Sequence, residues 1–375
     1  MKKLTINCAI FVLILIAASF LWYDRLAQDP FPLGNRHPVT VAVIFNGSKN
    51  DGGWNEAHYR GFESVRDEMG VRIVYRENVP DMDRSILPVI DELISHDHAE
   101  IIFAPSINYG PYLLEAAERY PEVKFFSIAG AQTRPNLAAY FGRMYQVRYL
   151  TGIIAGMQTQ TNHIGFVAAF PIPEVIRGIN AFTLGVRSVN PDAVVHVQWT
   201  GTWNDASKEI TATDVLLQKY PIDVIAQHQN AIYPLIAAQR HQVYAIGYNM
   251  DHAADFPDVF LTAPVWNWAG FYRDRLQECF EGRFQGRSYM QGIQSGIIGI
   301  APITPLVSSD TVDKVMEARQ RIESGQWDVF FGPIYDQQGV MRVKPGENIA
   351  DQVLISGFDW FVQGVDGDVH PFSRP

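Results

Sequence analysis

Cysteine is nearly absent from the 375 residues: only Cys8 and Cys279 occur. Two thiols cannot build a thiolate zinc site, and Cys8 lies in an apolar leader. Once that leader is set apart, Cys279 has no intrachain partner, so a disulfide framework and a zinc module are both excluded. Basic runs are also missing beyond Lys2 and Lys3, and the net charge is -10. A nucleic-acid partner, which needs a concentrated basic face, is therefore not expected. No G-x-G-x-x-G follows the first strand-like run, and no P-loop, G-x-S-x-G or H-E-x-x-H motif occurs anywhere. One acidic route to catalysis remains, through Asp51, Asp205 and Asp251. These aspartates are scattered over the chain and do not make a clustered metal site, so neither catalysis, a cofactor nor a bound metal is expected. His96 and His98 are spaced too loosely for a metal pair and read as a solvated helix end.

What is present begins with Met1, Lys2 and Lys3, followed by an almost unbroken apolar run from Leu4 to Tyr23. It reads as an export signal. Ala17 and Ser19 offer a small-residue cleavage pair, but Phe20, Leu21 and Trp22 follow at once. A cleaved signal peptide and an uncleaved signal anchor both fit, the second giving membrane contact through this segment. Either way the remainder is expected in the periplasm or on the extracytoplasmic face of the cell membrane. Residues 24–38 carry three prolines and mixed charge and read as a linker. The rest has the 47% hydrophobic and 19% charged composition of an ordinary globular body with a large core. Its acidic balance suits a soluble, monomeric carrier.

From Val39 onward, strand and helix patterns alternate. Val39–Phe45, Val71–Arg76, Glu100–Ser106 and Lys124–Gly130 are strand-like, separated by helical periodicity over Asn55–Met69, Ser85–Ser95 and Pro111–Arg119. After Tyr140–Gln160, which keeps helical spacing, the alternation restarts at His163–Phe170. Glu174–Val189, Ser207–Lys219 and Ile232–Arg240 are helical, and Ala193–Gly201, Ile222–His228 and Tyr244–Asn249 are strand-like. This is an α/β chain of parallel βαβ units in two similar halves. The expected domains are a first lobe over 39–145 and a second over 146–265, with residues 266–375 shared between them.

In open parallel sheets, ligands bind beyond the carboxyl ends of the strands. That places Asn50, Asp51 and Trp54 at the site, with Ser106–Tyr109, Phe170–Glu174, Thr202–Asp205, Gln227–Asn230 and Asn249–Asp251. Gly52 and Gly53 allow a ligand near the main chain. Trp54 and Trp203, one from each half, offer flat faces for a ring. Structural readings stand beside these: Asp51 and Asp205 also fit as helix caps, Trp54 as core packing, Tyr109 and His228 as strand-end structure, and Trp266 with Trp268 as hinge packing.

The pattern Asp51-x-x-Trp54-Asn55-x-x-x-Tyr59-x-Gly61 resembles the signature of the basic membrane protein family of ABC-transporter solute receptors. The likeness continues through Glu115–Phe125, Gly178–Ala193, Thr200–Glu209 and Ile246–Asp251, and Phe170–Asn180 is similar to the branch that binds purine bases. The resemblance implies a type I periplasmic-binding-protein fold, two Rossmann-like lobes with parallel sheets and a three-crossing hinge. It also implies a purine ligand and a membrane ABC permease as partner. The ligand-binding set is then Asn50, Asp51, Trp54, Asn55, Tyr109, Phe170, Trp203, Asp205, His228, Asn249, Asp251 and Asn267, with Trp54 and Trp203 at the two stacking positions. Asn267 is an asparagine followed by a tryptophan, as expected for the base-binding branch.

Two positions depart from the nucleoside-binding members. Asn249 stands where they carry an aspartate, and Trp266 where they carry a lysine, and both of those residues help to engage the sugar. A free base such as adenine is therefore expected over a nucleoside. A nucleoside receptor and a membrane-anchored purine sensor without transport remain the alternatives.

Overall fold

The computed structural model describes residues 38–129 and 132–372. The expected leader and nearly all of the expected linker lie outside the described residues, as does Gly130 at the end of the fourth strand-like run. Among the described residues no helix is long and apolar enough to cross a membrane.

The chain begins with β1 (Thr40–Ile44), α1 (Trp54–Met69), β2 (Arg72–Arg76), α2 (Ile86–Ser95), β3 (Ile101–Ala104), α3 (Gly110–Arg119), β4 (Lys124–Ile128) and β5 (Leu137–Gly142). It continues with α4 (Tyr145–Gln158), β6 (His163–Ala168), α5 (Pro173–Val189), β7 (Val194–Trp199), α6 (Ala206–Lys219), β8 (Val224–His228), α7 (Tyr233–His241), β9 (Tyr244–Ile246), β10 (Phe260–Thr262) and β11 (Pro264–Trp266). Then come α8 (Trp268–Phe280), β12 (Ser288–Gln291), β13 (Ile298–Ile300), α9 (Ser309–Glu323), β14 (Ile334–Tyr335), β15 (Met341–Val343), α10 (Asp351–Ser356) and β16 (Val365–Asp366).

Two six-stranded sheets result, in the orders β12-β5-β4-β3-β1-β2 and β10-β9-β8-β6-β7-β16. From β1 to β5 and from β6 to β10 the neighbours run parallel. Parallel strands are covered on both faces, which explains why β1 is a continuous apolar run, buried at every position, rather than an alternating one. Each fully buried Val or Ile contributes about 1.5–3 kcal/mol, more than the roughly 1–2 kcal/mol needed to fix its backbone. In each sheet the chain steps outward and then returns to the other side of its starting strand. β2 and β3 flank β1, and β7 and β8 flank β6. These reversals set the two switch points at which open α/β sheets take ligands.

By contact density the chain divides into two compact units. One comprises residues 38–44 with the described part of Val65–Tyr140 and Tyr272–Ser288; the other comprises Phe45–Ser64, Phe141–Phe271 and residues 289–372. The first has a core of Ile44, Ile90, Ile102, Leu113 and their neighbours. In the second, Val167, Leu216, Ile225, Leu235 and Phe260 form a comparable cluster. There α4 and α5 lie so close that a Cβ on Gly152 would stand 2.1 Å from the Phe182 carbonyl oxygen, and one on Gly185 2.0 Å from that of Tyr149. Only glycine permits this backbone approach.

The helical reading of Tyr140–Gln160 needs correction. Leu137–Gly142 is a strand paired to β4, and the helix starts at Tyr145. The strand LAAYFG has no β-branched residue, so propensity alone does not reveal it.

Candidate functional site

The loop after β1 is built around the Asp51 carboxylate. It accepts from the backbone N–H groups of Gly53 at 2.9 Å, Asn55 at 3.0 Å and Glu56 at 3.1 Å, and from Asn55 Nδ2 at 3.0 Å. Asp51 is thus the cap of α1. Burial pushes its pKa up, against the pull of these hydrogen bonds. Asn55 is buried beside it, while Asn50 is exposed, its N–H bonded to Ser48 Oγ.

The cap delivers Trp54 to a specific place. Trp54 N–H donates to the Asn230 carbonyl at 3.2 Å, and Asn230 N–H donates to the Trp203 carbonyl at 2.8 Å. One residue therefore joins the backbones of the two tryptophans. A Cβ on Gly53 would fall 1.7 Å from the same Asn230 oxygen, so the junction demands glycine there. His252 Nε2 lies 2.8 Å from the Gly52 carbonyl oxygen and fastens the other side of the loop.

Both tryptophans are partly buried. Trp54 meets His58, Trp266 and Trp268 edge to face, with centroids 4.4, 5.5 and 5.9 Å away. Trp266 and Trp268 themselves stack at 4.6 Å. Trp203 leans on Phe170 at 5.4 Å and on His228 at 6.2 Å. His228 is buried, with Nε2 3.3 Å from Glu174 Oε1. Burial lowers its pKa, against the pull of Glu174. Burial opposes ionisation of Glu174, but His228, Arg177 and Arg148 outweigh it and hold the carboxyl below its usual range. Arg148, fully buried, donates to the Gln227 carbonyl at 2.7 Å and lies 3.8 Å over the Tyr248 ring.

The structure thus gathers Asp51, Trp54 and Asn55 through one loop, and Phe170, Trp203 and His228 through ring contacts. The remaining positions have other duties. Asn249, in a left-handed conformation with φ of 72°, donates Nδ2 to the Gln229 carbonyl at 3.1 Å and accepts from Trp266 Nε1 at 3.1 Å. Its amide is spent on both sides. Asp205 accepts from Lys208 N–H at 3.0 Å while its own N–H donates to Glu209 Oε1 at 2.8 Å, a capping box for α6. Asp251 is exposed and caps Ala253 N–H, and Asn267 is exposed with its N–H on the Ile297 carbonyl. Tyr109 belongs to the core of the first unit, fully buried, with its hydroxyl on the Val79 carbonyl at 2.6 Å.

Glu174 and Asn230 carry more of this arrangement than their sequence signal suggests. Both lie in crevice stretches of the pattern, but nothing local separates a linking residue from its neighbours. Arg148, in the middle of an apolar helix, gives only the signal of a charge on a buried face. Among the described residues, no group of three or more His, Cys, Asp or Glu is placed to hold a metal ion.

The α/β fold, with its two parallel sheets, is that of the type I periplasmic solute-binding proteins. A solute-binding protein of an ABC transporter system from Conexibacter woesei has the same fold, with a TM-score of 0.65, 24% identity, and cover of 77% of this chain and 98% of that one. The chain belongs to the family of PnrA-like ABC transporter substrate-binding proteins, whose family model matches residues 38–329. A purine-binding protein of Brucella abortus (strain 2308) is 34% identical over 334 residues, 88% of this chain and 93% of that protein. A Haloferax volcanii protein, named provisionally for glucose binding by an ABC transporter, is 32% identical over 332 residues, covering 88% of this chain and 81% of its own. The family is one of extracytoplasmic receptors for small solutes that work with a membrane permease, and it is not a class of enzymes.

Proposed function

We propose that this chain is an extracytoplasmic receptor for a purine base, adenine or a close relative, which it delivers as a monomer to an ABC permease. The carrying observation is the single-residue link from Trp54 through Asn230 to Trp203. It fixes two partly exposed indoles in a common frame. Stacking on each contributes about 1–3 kcal/mol, as for bases on aromatic side chains elsewhere. The purine-binding relative supports the same ligand class. The preference for a base over a nucleoside is supported by the Asn249–Trp266 hydrogen bond, which consumes the amide that would otherwise meet ribose hydroxyls.

The test is calorimetric titration with adenine, guanine, hypoxanthine, adenosine, guanosine and glucose, on the wild type and on Trp54→Ala and Trp203→Ala. Adenine is expected to bind at least tenfold more tightly than its nucleoside and to lose about 5- to 150-fold in each variant. Tighter binding of adenosine would overturn the base reading. Binding of glucose with no purine would replace the purine reading altogether.

A further inference from the structure

One step from Trp203, through His228, lies an anion with an unused oxygen. Glu174 follows Pro173 at the start of α5, in the first turn, where the helix dipole favours negative charge. Its side chain keeps 16% exposure. Oε1 faces His228 Nε2 at 3.3 Å, and among the described residues Oε2 meets no donor. His228 carries the contact onward to the Trp203 ring at 6.2 Å, and Trp203 carries it to Phe170 at 5.4 Å. The buried guanidinium groups of Arg148 and Arg177 also stabilise the charged form. Such a carboxylate can accept hydrogen bonds and cannot donate them.

We propose that Glu174 is the specificity-determining residue of this site, and that it selects ligands carrying an amino group on the ring edge, the 6-aminopurines. The inference rests on the purine-base reading. The exocyclic amine of adenine gives Oε2 its missing donor through a charge-assisted hydrogen bond. Hypoxanthine sets a carbonyl oxygen at the same ring position, which leaves two acceptors facing each other. Leaving such buried groups unpaired corresponds to a loss of about 10- to 100-fold in affinity. A glutamine would remove the bias, because its amide turns to meet a donor or an acceptor.

The experiment measures the ratio of adenine to hypoxanthine affinity by calorimetry for the wild type, Glu174→Gln and Glu174→Asp. The wild type is expected to favour adenine by about 10- to 100-fold, Glu174→Gln to bring the ratio within about threefold, and Glu174→Asp to retain most of it. The ratio separates selection from structure. If Glu174 only buttresses His228, Glu174→Gln weakens both ligands equally, the ratio stays, and the inference falls while the purine reading stands. If Glu174→Gln does not fold, Glu174→Ala takes its place and is expected to bring the ratio within about threefold, and a wild-type ratio near one overturns the inference. Absence of binding by every purine to the folded wild type would mean that the purine reading itself has failed.

Discussion

The second sheet carries a histidine–carboxylate pair at each end, and the two ends differ in how far the carboxylate is sheltered from water. At the carboxyl end of β8, His228 meets Glu174, and one carboxylate oxygen remains open. Toward the other end, His163 Nδ1 lies 2.8 Å from His196 Nε2, and His196 Nδ1 lies 2.8 Å from Asp366 Oδ2. The Tyr220 hydroxyl donates to the same oxygen at 2.8 Å, and its ring stacks on His196 at 3.7 Å. In that second cluster the carboxylate is open to solvent, its side chain 52% exposed against 16% for Glu174. It fastens β16 to β7, where Asp366 and His196 are register partners. The same residue types thus make a sheltered pair at one end, which we propose meets the ligand, and a solvent-reached strap at the other.

The largest expected effect breaks the frame of the open end. Gly53→Ala should cost about 3 kcal/mol of stability and abolish ligand binding, because the new methyl group falls on the Asn230 carbonyl. Thermal melting with and without ligand checks it. His228→Ala and His196→Ala then set the two ends against each other. The first should weaken adenine binding at least tenfold. The second should leave binding unchanged and lower stability by about 1–2 kcal/mol, because a buried ring stacked on Tyr220 is lost.

The pH response sharpens the contrast. Burial lowers the His196 pKa, and bonds from His196 and Tyr220 outweigh burial in lowering that of Asp366. Groups with depressed folded pKa values stabilise above their unfolded values, so the strap is at full strength above about pH 6.5 and weakens as pH falls. Glu209 has the opposite sense. Burial pushes its carboxyl up to about 8, and its Oε2 is buried without a hydrogen-bond partner. Its contribution is complete below the ordinary glutamate range and is lost as pH rises through about 8. Glu209→Gln should therefore flatten the alkaline side of a stability–pH curve, leaving the acid side as it was.

The smallest effect lies far from both ends. Arg273→Ala removes an exposed pair with Glu68 at 2.7 Å and should leave the thermal midpoint almost where it was, because solvent screens such a pair, with no change in binding by calorimetry.

The parallel α/β order was legible because buried strands such as β1 and β8 are unbroken apolar runs and their helices keep a 3.6-residue period. β5 was not, since Leu137–Gly142 is recruited by pairing rather than by propensity. Beyond Asn249, short strands such as β11 and β13 form only by pairing with each other, and no local period marks them. At the site, Trp54 and Trp203 stood out as aromatic residues at strand ends. The caps Asp51 and Asp205 were legible as capping residues but not as that alone, because a carboxylate before a helix serves a ligand or a backbone equally well until its acceptors are counted. Tyr109 shows the same limit from the other side: a strand-end tyrosine looks like a contact residue until its hydroxyl is found on Val79.

The junction at Asn230 has an evolutionary consequence. It is made wholly of main-chain atoms, so it does not call on the Asn230 side chain, whereas a Cβ at position 53 would collide with it. If the indoles and Glu174 line the pocket as proposed, selection can exchange them one at a time on an unchanged chassis. A lineage whose relatives carry names as distant as purine and glucose is what such a division between inherited frame and replaceable lining allows.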